Sequence, residues 1–253
     1  MTGLSVSQET TAGCAVVTLT GRLAAKSYAQ VRTAFNYALA ELPDAVIFDV
    51  DAVTHAHRDT SDWFAAMAGQ AAQWPGIPWV LAGADGGPVS RLVRHNGGSS
   101  LPRFLTVAEA LEAMSTARAR VEARFVLPPK PEAVGAARQF VAAACREWNA
   151  TAYEWAAPLV TSELVTNAVL HTGTSVQVIC SYGDNGFRLA VRDGLGEPPT
   201  RLNPTPDGER GRGLFLVHRL ANGWGTLPTS DGGKVVWCLV APSDDADLVG
   251  DTR

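Results

Sequence analysis

The stretch TSELVTNAVLH at 161–171 sets Glu163, Asn167 and His171 at successive four-residue intervals. On a helix this spacing puts a carboxylate, an amide and an imidazole on one face. Leu164, Val165, Ala168 and Val169 fall on roughly the opposite face, suited to a core. Such polar groups are costly to bury without partners or a purpose. Taken alone, the pattern reads more simply as a solvated stripe on an amphipathic helix. Downstream residues change that. Asp193-Gly194-Leu195-Gly196 directly follows a strand-like run, and Gly211-Arg212-Gly213 opens an apolar helical segment. Glycines at a helix start let backbone N–H groups approach an anion, and the helix dipole favours phosphate there. Neither of the two common phosphate-loop patterns applies. The G-x-G follows a Pro-rich loop rather than a strand, which excludes a Rossmann turn, and no G-x-x-x-x-G-K-[ST] run is present.

Elements of the second half must position these residues. Apolar positions at helical spacing predict a helix over 131–149, with Pro131 in its first turn, and another over 152–170 that carries Glu163 and Asn167. Two alternating runs, 176–182 and 187–192, flank Gly183-Asp184-Asn185-Gly186 and predict a hairpin. Phe187, Leu189 and Val191 would face one way, and Arg188 and Arg192 the other. The connection at 197–212, rich in Pro, Gly and charge, has the length of a lid or binding loop. A helix over 214–221, a turn at 222–225 and a closing strand at 234–240 complete this half.

In the first half, strands are predicted at 14–20, 45–50 and 79–82, and helices at 27–42 (Ser27 as N-cap), 60–73, 90–95 and 106–120. The alternation implies an α/β unit with at least partly parallel pairing. The segment 108–124 reads as one helix grading into a connector, and FVLPPKP at 125–131 stops it. His55 and His57 form an H-x-H pair without further ligands, read as an exposed loop rather than a metal site. His95 reads as a helix-end residue. His171 and His218 carry no assigned chemistry and read as packing or lid contacts.

Composition bounds the function. The chain has 253 residues, 46% of them hydrophobic and 18% charged, and a net charge of -4. Its pI of about 5.7 gives no support to binding nucleic acid through phosphate neutralisation. No apolar run approaches the ~20 residues that span a bilayer. No signal-peptide pattern opens the chain. Cys14, Cys145, Cys180 and Cys238 are far apart and suggest neither a zinc site nor a disulfide framework. The expectation is a soluble cytoplasmic protein with reduced thiols.

CAVVTLTGRL at 14–23 and AVIFDVDAVT at 45–54 resemble the STAS domain of anti-sigma factor antagonists. In that family the loop after the central strand carries a phosphorylated serine. His57, Arg58, Asp59 and Thr60 stand at the corresponding positions here, with Ser61 after them, so the phosphoacceptor serine is missing. The resemblance therefore implies a degenerate phosphoacceptor loop, in which Thr60 or Ser61 could serve only if the loop is shifted.

ELVTNAVLH, DGLG, GRGL and GKVVW, in that order, resemble the GHKL ATPase superfamily, and within it the anti-sigma factor serine kinases related to histidine kinase ATPase domains. This resemblance implies a two-layer α/β sandwich with a mixed sheet, and ATP and Mg²⁺ as cofactors. Asn167 would complete the Mg²⁺ shell. Asp193 would accept a hydrogen bond from the adenine amino group. Gly194 and Gly196 would let the backbone pass close to the base, and Gly211, Arg212, Gly213 and Leu214 would wrap the phosphates. Glu163 would be the general base. In many relatives a threonine near the last strand holds an adenine-bound water, and Val235 stands there instead.

The expected organisation is a STAS-like domain at 1–120, an ATPase domain at 121–242 and a flexible tail at 243–253. The implied function is an anti-sigma factor kinase, phosphorylating a STAS-type antagonist, sequestering a sigma factor, or both. The alternatives are a non-catalytic ATP-dependent switch and, more weakly, a sensor histidine kinase fragment. Contact with the chain's own STAS-like half and a homodimer are further options.

Overall fold

Residues 3–73, 77–95, 101–116, 121–184, 186–196 and 212–243 are described by a computed structural model. In the first sheet, Cys14–Leu23 (β2) buries Cys14, Ala15, Val16, Val17, Leu19 and Leu23. Ser5–Thr11 (β1) pairs with it antiparallel along its length. This strand escapes the sequence reading because SVSQETT is polar and almost wholly exposed, so an edge position leaves no apolar alternation. Val46–Asp49 (β3), Val53–Ala56 (β4), Trp79–Ala82 (β5) and Arg103–Phe104 (β6) follow, in the order β1-β2-β3-β5-β6 with β4 on β2. All pairings after β1–β2 are parallel. Parallel neighbours require crossovers. Helices Tyr28–Ala40 (α1), Thr60–Gln73 (α2) and Pro88–His95 (α3) supply them, and Val107–Thr116 (α4) follows the last strand.

Phe35 of α1, Phe48 of β3, Phe64 of α2 and Trp79 of β5 meet with ring centroids 5.6 to 6.1 Å apart. Ala110 of α4 closes a second cluster with Cys14, Val16, Ile47 and Val80. Ser27 does precede α1, but its hydroxyl accepts from the Ala24 N–H at 3.1 Å and makes no capping bond to the helix.

The second unit is built on Val121–Leu127 (β7), Val176–Gly183 (β8), Gly186–Asp193 (β9), Ala221–Pro228 (β10) and Lys234–Val240 (β11), ordered β10-β11-β9-β8-β7. Every described pairing here is antiparallel. The sheet of mixed direction is that of the first unit, because hairpins connect β8 to β9 and β10 to β11. The expected helix-to-connector at 108–124 is corrected. From Val121 the chain is strand, since VEARFVL is rich in residues that suit a pleated surface and pairs with β8 over its whole length. The expected turn at 222–225 is corrected too. Those residues lie in β10, where Gly225 runs against the Trp237 indole and a Cβ would come within 3.0 Å of the ring.

Glu132–Glu147 (α5), Ala156–Thr172 (α6) and Arg212–Leu220 (α7) bury their apolar sides in one cluster with Val178, Phe187, Leu189, Val191, Val236 and Cys238. Phe187, Leu189 and Val191 thus share a face, as their alternation predicts. Trp148 and Tyr153 lie on Phe187 with centroids 6.1 and 5.7 Å away. The chain divides into two compact units, Met1–Arg118 and Ala119–Arg253. The lid at 197–211 and the tail beyond Ser243 lie outside the described residues. Among the described residues, no helix is long and apolar enough to cross a membrane.

Candidate functional site

α6 holds two of the expected side chains. Its buried residues, Val160, Thr161, Leu164, Val165 and Ala168, fix its rotation against α5, α7 and the sheet. Glu163 and Asn167 are therefore held half-buried beside the core, while His171 is exposed at the C-terminal turn. Three helix hydroxyls are satisfied internally: Thr161 donates to the Ala157 carbonyl at 2.7 Å, Ser162 to the Pro158 carbonyl at 3.0 Å and Thr172 to the Ala168 carbonyl at 2.8 Å. The Asn167 amide nitrogen is different, being buried with no hydrogen-bond partner among the described residues. An orphaned buried amide is costly unless something else completes it. Half a turn about its last bond would present the oxygen instead. Burial pushes the Glu163 carboxyl above its ordinary pKa.

β9 and β11 supply the second group. Their register sets Asp193 opposite Lys234. Lys234 alternates with Val236, Cys238 and Val240, and Asp193 with Phe187, Leu189 and Val191, so both face the helix layer. Their side chains are 1% and 6% exposed, and Lys234 Nζ lies 2.9 Å from Asp193 Oδ1. Lys234 also donates to the Leu195 carbonyl at 2.8 Å, and the Leu195 N–H donates to Asp193 Oδ1 at 3.0 Å. Val235, on which the sequence reading focused, has the opposite parity and points away from this layer. Lys234 is the residue the reading missed. Its signal was a lone charge at the start of an apolar strand, but only the strand register places it on Asp193.

Backbone approach explains the glycines here. A Cβ on Gly196 would come within 2.7 Å of the Gly232 carbonyl oxygen, and one on Gly233 would collide with the Asp193 carbonyl. Thr229 and Arg192 bind the Asp231 carboxylate and fix the turn between β10 and β11, keeping its carboxyl below the usual range. Thr174, just past the left-handed Gly173 that ends α6, accepts the Gly194 N–H at 2.9 Å and donates to Thr172 at 3.2 Å. The carboxylate loop is thereby tied to the end of the helix that carries Asn167. Gly213 and Leu214 lie in the first turn of α7 with the backbone of Arg212. Gly211 lies outside the described residues. His218 is exposed on α7.

In the first unit, Thr60 and Ser61 begin α2 and are buried, Thr60 completely. Arg58 is 88% exposed and lies beside Asp59, whose carboxylate is 3.5 Å from His57 Nδ1. His57 stacks on Trp63 at 6.2 Å. His55 is exposed. No cluster of three or more metal-binding side chains occurs among the described residues. All four cysteines are reduced and buried, and burial pushes the thiols of Cys145, Cys180 and Cys238 up to about 12, which disfavours their thiolates near neutral pH.

Residues 127–239 match the family model of the histidine kinase-like ATPase domain. No curated protein matches the chain. Solved structures similar over its N-terminal part include an anti-sigma factor antagonist from Mycobacterium paratuberculosis. It is 22% identical, with 45% of this chain and 95% of that one covered and a TM-score of 0.39. A Moorella thermoacetica RsbS variant is 16% identical, covering 44% and 96%, with a TM-score of 0.36. The unphosphorylated antagonist SpoIIAA is 17% identical, covering 46% and 98%, with a TM-score of 0.32. The family match supports a histidine kinase-like ATPase domain over residues 127–239. The residues suit a nucleotide with its cation: an amide nitrogen unpartnered among the described residues and able to give way to its oxygen, a carboxylate whose described bonds all fall on Oδ1, and a helix N-terminus.

Proposed function

We propose that the chain binds Mg-ATP in its second unit and acts as a regulatory kinase of the anti-sigma factor type, passing a phosphoryl group to a serine of a separate STAS-type antagonist. The observation that carries this reading is the buried, unpartnered Asn167 amide one turn along α6 from the half-buried Glu163. ATP supplies the phosphoryl group, and Mg²⁺ offsets its charge. Asn167 would hold the cation through its side-chain oxygen. Asp193 would accept from the adenine amino group, and Arg212, Gly213 and Leu214 at the start of α7, with Gly211 before them in sequence, would hold the phosphates. Glu163 takes the proton of the attacking serine hydroxyl as the new O–P bond forms and the bond to the leaving ADP oxygen breaks. A carboxyl raised by burial is the stronger base for this step.

The experiment mixes full-length protein, Mg²⁺, γ-labelled ATP and candidate STAS proteins. Label on a partner serine, absent with Glu163→Gln, supports the kinase. Nucleotide binding without transfer to any partner supports the non-catalytic switch. The burial of Thr60 and Ser61 favours a first unit that does not itself accept phosphate.

A further inference from the structure

The Asp193–Lys234 pair has bonding capacity that the roles above leave unused. Both bonds to Asp193 fall on Oδ1, from Lys234 Nζ at 2.9 Å and from the Leu195 N–H at 3.0 Å. Oδ2 accepts no bond among the described residues. Lys234 gives one N–H to Asp193 and one to the Leu195 carbonyl, and an ammonium has a further donor. Among the described residues, one carboxylate oxygen and one N–H donor of the pair are therefore left over, on side chains that their other bonds hold still. Both face the helix layer, and both are almost completely buried, where hydrogen bonds are strong and errors of pairing are expensive. A buried ion pair adds little stability over an apolar pair of the same volume, so tying β9 to β11 is a weak reason for having one.

We propose that Lys234 reads the nucleotide base. Its remaining N–H donates to the ring nitrogen beside the adenine amino group, while that amino group donates to Asp193 Oδ2. The base then meets one donor and one acceptor directly, and the ion pair stays closed. This inference rests on the nucleotide-binding reading and adds a specificity-determining residue to it. A pair that served only to join two strands would leave the base unread.

Calorimetric titration of the full-length protein with ATP, with GTP and with an ATP analogue whose ring nitrogen beside the amino group is replaced by C–H tests it. The wild type should bind the analogue about tenfold or more weakly than ATP, the usual effect of losing a hydrogen bond to a charged group, and should prefer ATP to GTP. Lys234→Met, its folding checked by circular dichroism, should bind ATP and the analogue alike. Equal affinity of the wild type for ATP and the analogue, a preference for GTP, or unchanged discrimination in Lys234→Met would each overturn the proposal. The wild-type comparison needs no variant and can overturn the proposal even if Lys234→Met does not fold. Failure of the wild type to bind any of the three would instead remove the nucleotide reading itself.

Discussion

Glu163 carries opposing demands. Its raised pKa means that the folded chain holds the proton more tightly than the unfolded chain does. Stability therefore falls as pH rises from the ordinary carboxylate range through the raised value, while transfer, which needs the carboxylate, rises through the same window. Glu163→Gln should abolish transfer yet stabilise the protein near neutral pH by less than about 1 kcal/mol. That gain should vanish below about pH 4, where wild-type Glu163 is protonated in both states. Urea denaturation at the two pH values, beside a transfer assay, measures both effects. A variant less stable than wild type at neutral pH would contradict the assignment. Asp193 behaves differently, because its carboxylate is matched by Lys234. Removing either partner leaves a buried charge alone, at a cost of roughly 3–5 kcal/mol.

Among the elements, the approach of the β10–β11 turn to the end of β9 brings Asp193 and Lys234 together. Gly233→Ala should destabilise this unit by about 1–3 kcal/mol, because its Cβ meets the Asp193 backbone carbonyl rather than a movable side chain. Chemical denaturation would show it, and an unchanged midpoint would mean that the turn is placed differently. Much of this scale was legible in sequence. The polar face of α6 appears as a four-residue interval, and α2 and β5 fall at the predicted residues because their patterns are local. Lys234 was not legible, since its partner is set by strand register across an intervening loop. Nor was β1, whose polar residues pair through backbone, nor β10, where Gly225, which reads as part of a turn, instead makes room for Trp237. The glycines of DGLG were recognised, but their close contacts with Thr174 and the Gly232 carbonyl belong to tertiary packing.

At the scale of the whole molecule, each unit has its own sheet and core. Removing residues 1–120 should therefore leave nucleotide affinity within about threefold and change partner binding, consistent with a core that belongs to one domain. Titration and partner pull-down on the shortened chain would check this. Loss of nucleotide binding in a folded fragment, or unchanged partner binding, would contradict the division of labour. The net charge of -4 gives no reason to look for a nucleic-acid partner.

The most direct test of the account is calorimetric titration of Mg-ATP into the full-length protein and into Asn167→Ala. The account predicts one site per chain, weakened by chelating Mg²⁺ and weakened about tenfold or more in Asn167→Ala. That variant should keep its fold, because the amide nitrogen it loses has no partner among the described residues. An absence of binding to the wild type, or equal affinity in a folded Asn167→Ala protein, would contradict it.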